Sequence, residues 1–168
     1  DPCPEPIGDR TYHDLGEVNG ARIFMALSEM GSGGLGASQQ AVHKGIEALS
    51  PSAVIMVGIA FGVNDKKQSI GDILVSRQLM LYDLQRVGAD KDGHIKIIPR
   101  GDRPHASPWL FDRFKGADLY WDVSKGEVRF GLILSGEKLA DHLDFREQLL
   151  SIEPEAIGGE MEGAVLRC

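Results

Sequence analysis

The chain has 168 residues and a net charge of −7, and it is 42% hydrophobic and 26% charged. These values are those of an ordinary globular protein, and the length predicts one domain over residues 1–168. The acidic balance, without a Lys/Arg cluster on any helix-like face, argues against nucleic acid as a partner. No apolar run reaches the ~18 residues of a membrane span and no signal-peptide pattern opens the chain, so no membrane partner is expected.

The patterns along the chain predict alternating strands and helices. In chain order we expect a strand over residues 21–27, a helix over 37–48, and a strand over 53–58 whose continuous apolar run is typical of burial on both faces. Next we expect a strand over 73–75 with a continuation over 79–84. A polar loop follows over 88–103, with a short strand at 95–98, and then a helix over 107–114. A strand over 128–134, a helix over 137–152 and a helix opening at Glu160 complete the order. This rhythm predicts an α/β architecture with a mostly parallel sheet.

The cysteines and histidines carry no metal-ligand pattern. Cys3 and Cys168 lie at opposite ends of the chain, which indicates a reducing, cytoplasmic compartment and no disulfide framework. The histidines show no paired-ligand spacing, so no metal is expected. The chain begins at Asp1 and ends soon after the helix predicted at Glu160. We therefore interpret it as a partial domain, truncated at both ends.

The glycine-rich run over residues 31–36 fits the G-x-G-x-x-G pattern between a strand and a helix. A dinucleotide site would also need an acidic residue about 20 positions further on. Met56, Val57 and Gly58 stand there instead, so neither NAD nor FAD is expected and no cofactor is predicted. The glycines can still turn backbone N–H groups towards an anion or a polar ligand, or they can form a purely structural turn.

The run from Gly159 to Ala164 places two glutamates around Met161 and brackets them with glycines. Carboxylates at a helix N-terminus are favourable by ~0.3–1 kcal/mol, which explains either glutamate alone. The whole pattern also suits a ribose, because a carboxylate can accept hydrogen bonds from two vicinal hydroxyls while an apolar side chain packs against the sugar.

Read with Ser135-Gly136-Glu137 and the segment from Val57 to Gly62, this run resembles the nucleoside phosphorylase superfamily. The likeness extends from about Thr11 to the last residue and is greatest to methylthioadenosine/S-adenosylhomocysteine nucleosidases. The sequence around Glu160 is also similar to that of phosphorylase-type domains of bacterial defence and signalling proteins, some of which act on adenine nucleotides including ATP. The resemblance implies a three-layer α/β/α fold with a mixed, mostly parallel central sheet, and a homo-oligomer.

The resemblance also implies an activity, which is hydrolysis of the N-glycosidic bond of an adenine nucleoside or nucleotide. A phosphate-dependent purine nucleoside phosphorylase is one alternative, and a non-catalytic nucleoside-binding or oligomerisation module is another. Phosphorylases of this superfamily bind phosphate through an arginine and a Ser or Thr at positions that here hold Met56 and Ile59. Neither side chain can bind an oxyanion, so water is the expected nucleophile.

Residue roles follow from the same resemblance. Glu162 is expected to accept from the 2′ and 3′ hydroxyls with Met161 against the sugar, and Glu160 is grouped with them as ribose-binding. The base-binding residues are expected to be Ser135, Gly136, Leu139 and Ala140. The loop beside the nucleophile is expected to contain Gly31, Ser32, Gly33, Gly58, Ile59 and Ala60.

No catalytic residue is assigned within the segment. The superfamily's general acid is an aspartate beyond the Met-Glu helix, past the last residue of this chain. Its general base follows a first strand, and the acidic residues nearest to that place, Asp1, Glu5 and Asp9, lie in a Pro-rich stretch with no strand predicted ahead of them.

A locally basic stretch is a separate candidate site in this acidic chain. It is either a solvated loop or a set of contacts to a 5′-phosphate, formed by Arg86, Arg100, Arg103 and His105.

Overall fold

The computed structural model describes residues 2–29, 36–83, 85–89, 95–136 and 143–163. The chain divides into two compact units, Asp1–Met56 and Val57–Cys168. Within the described residues, no helix is both long and apolar enough to cross a membrane.

The first unit is a three-stranded antiparallel meander followed by a helix. Strands β1 (Cys3–Ile7), β2 (Arg10–Val18) and β3 (Ala21–Met25) pair in that order, and helix α1 spans Ser38–Leu49. The β2–β3 turn consists of Asn19 and Gly20, both at positive φ, which is the backbone that a two-residue hairpin turn requires. The predicted strand over 21–27 and helix over 37–48 are confirmed. Strands β1 and β2 were not predicted, because their prolines and charged residues give no apolar alternation.

The second unit is built on a four-stranded sheet. Its strands are β4 (Phe61–Gly62), β5 (Ile73–Leu81), β8 (Val128–Ser135) and β9 (Ala156–Glu160), in the spatial order β4-β9-β8-β5. The pairs β5/β8 and β8/β9 are parallel, whereas β4/β9 is antiparallel. The predicted α/β class with a mixed, mostly parallel sheet is confirmed.

The remaining elements of this unit connect the strands. Strands β6 (Gln85–Ala89) and β7 (Ile95–Pro99) form a separate antiparallel pair, where the sequence had predicted a loop with one short strand. Helix α2 spans Pro108–Asp118, a 3-10 turn spans Val123–Lys125, and helix α3 spans Leu143–Ile152. The first six residues of the predicted helix over 137–152 lie outside the described residues.

One face of the sheet packs on α3. Because side chains alternate between faces along a strand, Met80 and Leu134 point towards the same side and enclose Leu149 of α3. The cluster consists of Met80, Tyr82, Leu132, Leu134, Leu149 and Ala156, with Phe61, Leu150 and Ile152 against it. The core therefore fixes β5, β8 and β9 relative to one another.

Residues 102–106 lie antiparallel along the outer side of β5. Leu79 N–H donates to the Pro104 carbonyl at 3.0 Å, and Ala106 N–H donates to the Arg77 carbonyl at 3.0 Å. Leu81 N–H donates to the Asp102 carbonyl at 3.3 Å. The outer strand of the sheet thus has partners on both sides along its second half.

Two sequence predictions about strands and helices are wrong. Residues 53–58 form no strand, and Val57 and Ile59 expose 94% and 95% of their surface. An extended apolar run can be buried only where its backbone N–H and C=O groups find partners, and residues 53–58 pair with no strand within the described chain. Glu160 ends strand β9, since its backbone pairs with Ser135 of β8, so the helix predicted to open at Glu160 does not begin there. Residues 164–168, over which that helix was predicted to continue, lie outside the described residues.

Candidate functional site

Three parallel strands of the second unit end level with one another. Leu81 is in register with Ser135, and Ser135 is in register with Glu160, so the carboxyl ends of β5, β8 and β9 form one edge. Strand β4 runs the opposite way, with Phe61 paired to Gly159, so residues 58–60 reach the same edge. Ligands of α/β proteins bind outside the carboxyl ends of such strands. We call residues 58–60, 135–136 and 160–163 the carboxyl-edge site.

This edge brings together parts of all three predicted motifs, namely Gly58, Ile59 and Ala60 of the nucleophile loop, Ser135 and Gly136 of the base segment, and Glu160, Met161 and Glu162 of the ribose segment. Other predicted residues, Gly31, Ser32, Gly33, Leu139 and Ala140, lie outside the described residues.

Glu160 holds a tight bend at the end of β9. Its Oε2 accepts from the backbone N–H groups of Glu162 at 2.6 Å and of Gly163 at 2.7 Å. Glu162 Oε2 in turn accepts from Met161 N–H at 3.3 Å. Met161 and Glu162 are both half-buried, so the bend presents an apolar side chain and a carboxylate side by side.

Glycines at this edge admit close contacts that a side chain would block. A Cβ on Gly136 would lie 2.4 Å from Cζ of Tyr82, and one on Gly159 would lie 2.3 Å from Cζ of Phe61. The N–H of Gly136 donates to the Glu160 carbonyl at 3.2 Å. These glycines therefore serve packing and the β8–β9 ladder, and the ring of Tyr82 packs against Gly136.

Sequence reasoning missed Tyr82. It is 1% exposed, and its backbone N–H donates to the Ser135 carbonyl at 3.1 Å, one residue beyond the end of β5. The signal that could have found it is its position, because the residue that follows a buried parallel strand lies at the ligand-binding edge.

Two buried polar atoms at this edge have no hydrogen-bond partner among the described residues. They are Ser135 Oγ, on a residue only 1% exposed, and Glu160 Oε1. A buried polar group without a partner costs about 1–3 kcal/mol, so a folded protein rarely keeps two together without a use for them.

Two of the predicted phosphate contacts already have partners within the protein. Arg103 Nη1 makes an ion pair with Glu153 Oε2 at 2.9 Å, and His105 Nε2 lies 3.0 Å from Gln78 Nε2. Arg100 is exposed, and Arg86 is part of strand β6. Across the described ranges, no three His, Cys, Asp or Glu residues are grouped as metal ligands.

The opposite, amino edge of the sheet contains a fully bonded carboxylate. Asp72 Oδ2 accepts from Arg129 Nε at 2.8 Å and from Ser69 N–H at 3.1 Å, and its Oδ1 accepts from Glu127 N–H at 3.1 Å. The hydrogen bond from Arg129, with those from Ser69 and Glu127, lowers the pKa of Asp72 below its ordinary value.

The mixed sheet defines the class of the molecule as an α/β protein. The solved structures that it matches give it a nucleoside phosphorylase-like fold. The solved 5′-methylthioadenosine/S-adenosylhomocysteine nucleosidase of Helicobacter pylori, in complex with a substituted pyrrolidin-3-ol, matches with a TM-score of 0.73 and 25% identity. The match covers 98% of this chain and 67% of that one.

Curated relatives point to the same group. The death domain-containing ATP nucleosidase of Amphimedon queenslandica is 28% identical over 143 residues, covering 76% of this chain and 27% of that protein. The 5′-methylthioadenosine/S-adenosylhomocysteine nucleosidase of Staphylococcus epidermidis is 28% identical over 168 residues, covering 94% of this chain and 71% of that protein. The chain thus spans about a quarter of the first relative. No protein-family model matches the chain.

The resemblance predicted from the sequence is therefore confirmed. The chain's relatives and structural neighbours include methylthioadenosine/S-adenosylhomocysteine nucleosidases, and its fold is similar to theirs.

Proposed function

We propose that the chain forms the ribose- and base-binding part of an N-glycosidase that hydrolyses the bond between adenine and ribose in an adenine nucleoside or nucleotide. The observation that carries the proposal is the bend at residues 160–163, which presents Met161 and Glu162 at the carboxyl edge of three parallel strands. The nucleosidases among its relatives support the same reaction class.

In this proposal Glu162 accepts hydrogen bonds from the 2′ and 3′ hydroxyls of the ribose. A hydrogen bond to a charged group contributes ~1.5–3 kcal/mol, so two bonds to one carboxylate would dominate the choice of sugar. Met161 packs against the sugar ring. Ser135 and Gly136, with Leu139 and Ala140, contact the base, and Gly58, Ile59 and Ala60 lie beside the attacking nucleophile with Gly31, Ser32 and Gly33.

Water is the proposed nucleophile. Ile59 has no donor for an oxyanion, and Met56 has no charge, so residues 56–60 offer no phosphate-binding side chain. The named relatives are nucleosidases, which favours hydrolysis over phosphorolysis. The chemistry passes through an oxocarbenium-like transition state, and general acid catalysis of base departure typically contributes ~10²–10⁴-fold. The residues proposed here bind the substrate, and none of them is proposed as that acid.

We further propose that the substrate carries a charged 5′ end, as ATP does. The relative named as an ATP nucleosidase supports this choice over a methylthio-nucleoside. The residues proposed to contact the phosphates are Arg86, Arg100, Arg103 and His105. Because Arg103 is paired with Glu153, it would exchange that carboxylate for a phosphate when the substrate binds.

We also propose a cytoplasmic homo-oligomer that works in antiviral defence. The motive is the resemblance to defence-associated domains, together with the death domain in the name of one relative. Residues 1–168 are proposed to be one domain of the full-length protein.

The test is a product assay on the full-length protein. Adenosine, AMP, ATP and methylthioadenosine are each incubated with the enzyme, with and without inorganic phosphate, and the products are separated by chromatography. We expect free adenine together with ribose or its 5′-phosphoester, at a rate that does not respond to phosphate. Ribose 1-phosphate as the main sugar product would establish a phosphorylase, and ligand binding without any product would establish a non-catalytic module.

A further inference from the structure

The two unpartnered atoms of the carboxyl-edge site belong to neighbouring side chains. Ser135 and Glu160 are in register on the parallel strands β8 and β9, which lie about 4.8 Å apart, so their side chains leave the sheet on the same face. Ser135 Oγ and Glu160 Oε1 are both buried on that face, and neither has a hydrogen-bond partner among the described residues.

The chemistry of the two groups is complementary. An ionised carboxylate oxygen only accepts hydrogen bonds, whereas a serine hydroxyl carries one donor that rotates to suit its surroundings. Oε2 of Glu160 is already committed to two backbone N–H groups, so Oε1 is the oxygen that remains to be satisfied. Ser135 is the buried donor next to it in the register.

We infer that Glu160 is a positioning residue for Glu162, and that Ser135 completes the Glu160 carboxylate by donating to Oε1, directly or through one bridging water. This inference rests on the proposed function, because it assigns Glu162 to the ribose. Within that function it assigns the hydroxyl of Ser135 and the carboxylate of Glu160 to each other, because both unpartnered atoms are buried.

The positioning acts through the backbone. Oε2 holds the N–H groups of Glu162 and Gly163, which fixes the direction in which the Glu162 side chain leaves the chain. A donor on Oε1 stops the carboxylate from turning about its last bond. The space around Oε1 is already restricted, because a Cβ on Gly163 would lie 2.5 Å from it.

The experiment measures binding of two ligands to the full-length protein by calorimetry, at low temperature and within a time in which chromatography detects no release of adenine. Adenosine has both ribose hydroxyls, and 2′,3′-dideoxyadenosine has the same base without them. The variants are Glu160→Gln, Ser135→Ala and the double variant. The matched control is Glu155→Gln, the same change at an exposed residue in the turn before β9.

We expect Glu160→Gln to weaken adenosine binding roughly tenfold, the scale of one lost charge-assisted hydrogen bond, and to change dideoxyadenosine binding less than twofold. Ser135→Ala should weaken adenosine binding about threefold or more, again with little effect on the dideoxy ligand. The double variant should bind like Glu160→Gln alone, because the two groups act as one unit. The control should bind both ligands normally.

Equal losses for the two ligands would overturn the inference, since that result means a general structural role or direct contact with the base. Additive losses would overturn the coupling between Ser135 and Glu160. Thermal unfolding of Ser135→Ala adds a test that needs no ligand. We expect Ser135→Ala to destabilise the protein, because it removes a donor to Glu160. If the hydroxyl had no partner, its removal should stabilise the protein instead. If the parent binds no nucleoside at all, the proposed function fails, which is a result distinct from any of these.

Discussion

The two edges of the second unit's sheet treat the same chemical group in opposite ways. At the amino edge, Asp72 receives hydrogen bonds on both oxygens and joins the starts of β5 and β8 through Arg129. At the carboxyl edge, the carboxylate of Glu160 is bonded through one oxygen only, and the hydroxyl of the buried Ser135 beside it has no partner in the described chain.

The difference separates carboxylates that serve the fold from those that serve a ligand. A carboxylate that is bonded through both oxygens within the fold contributes to the stability of the fold, so its loss should be seen in the free energy of unfolding. A partly satisfied one in a buried setting carries a cost of about 1–3 kcal/mol, which a protein retains where it supports a site. Four substitutions test this distinction.

The largest effect is expected at Glu162. Glu162→Gln keeps the shape and removes the charge, so the catalytic efficiency of the full-length protein on an adenine nucleoside should fall about tenfold or more, the scale of a lost charge-assisted hydrogen bond. The melting temperature should change by no more than a few degrees, because the variant keeps the size and shape of the half-buried side chain. Steady-state kinetics and thermal unfolding measure both quantities, and a near-normal rate would reduce Glu162 to a charge at the end of a strand.

Gly163→Ala should lower both the stability of the protein and its binding of a nucleoside. The added Cβ would lie 2.5 Å from Glu160 Oε1 and 2.9 Å from Leu79 Cδ1, so the carboxylate must move away from the N–H groups that it holds. We expect a destabilisation of about 1–3 kcal/mol, as for overpacking, together with weaker adenosine binding. Urea denaturation gives the first quantity and calorimetry the second. Gly88→Ala, where a Cβ meets nothing within 4 Å, is the matched control.

Asp72→Asn should lower stability and leave nucleoside binding unchanged. The pKa of Asp72 is lowered in the folded protein, chiefly by the hydrogen bond from Arg129, so its contribution is present above the unfolded value of about 3.9 and is lost as the pH falls through the folded pKa. The difference in unfolding free energy between parent and variant should therefore be full near pH 7 and shrink below about pH 4. Urea titrations at several pH values measure it, and a constant difference would contradict this account.

The smallest effect is expected at Arg103. Its side chain is 47% exposed, and such ion pairs contribute about 0–1 kcal/mol, so Arg103→Ala should hardly change stability. If Arg103 contacts a 5′-phosphate, the preference for ATP over adenosine should fall several-fold, and Arg100→Ala should act alike. Lys66→Ala, an exposed change in the loop before the amino edge, is the control. An unchanged preference in both arginine variants would favour an uncharged 5′ end.

The sequence predicted those strands of the sheet that consist mainly of apolar side chains. Strands β5 and β8 were predicted for that reason. Strand β9 was missed because Gly158 and Gly159 replace large side chains in it, and their need comes from Phe61 and Leu74, which lie far away in the sequence. The strand predicted over residues 53–58 was wrong for the opposite reason. The run is apolar, but its composition does not show whether a neighbouring strand is present to pair with it.

The residues of the candidate site were predicted from a sequence motif, but their geometry could not be predicted from it. The order Glu160-Met161-Glu162 indicated a ribose-binding carboxylate, but which glutamate binds the backbone follows from the turn and is not visible in the letters. Likewise, nothing local shows that Ser135 is level with Glu160, because a parallel register depends on both strands and the core between them.

The segment over 102–106 beside β5 has a consequence for how the molecule behaves at high concentration. An outer strand with open N–H and C=O groups is a template on which another chain can add, and proteins that leave one uncovered tend to aggregate. Here the N–H groups of Leu79 and Leu81 are already occupied by the carbonyls of Pro104 and Asp102. Strand β5 therefore cannot accept another strand along this stretch. Self-association by strand addition to β5 would first have to displace residues 102–106.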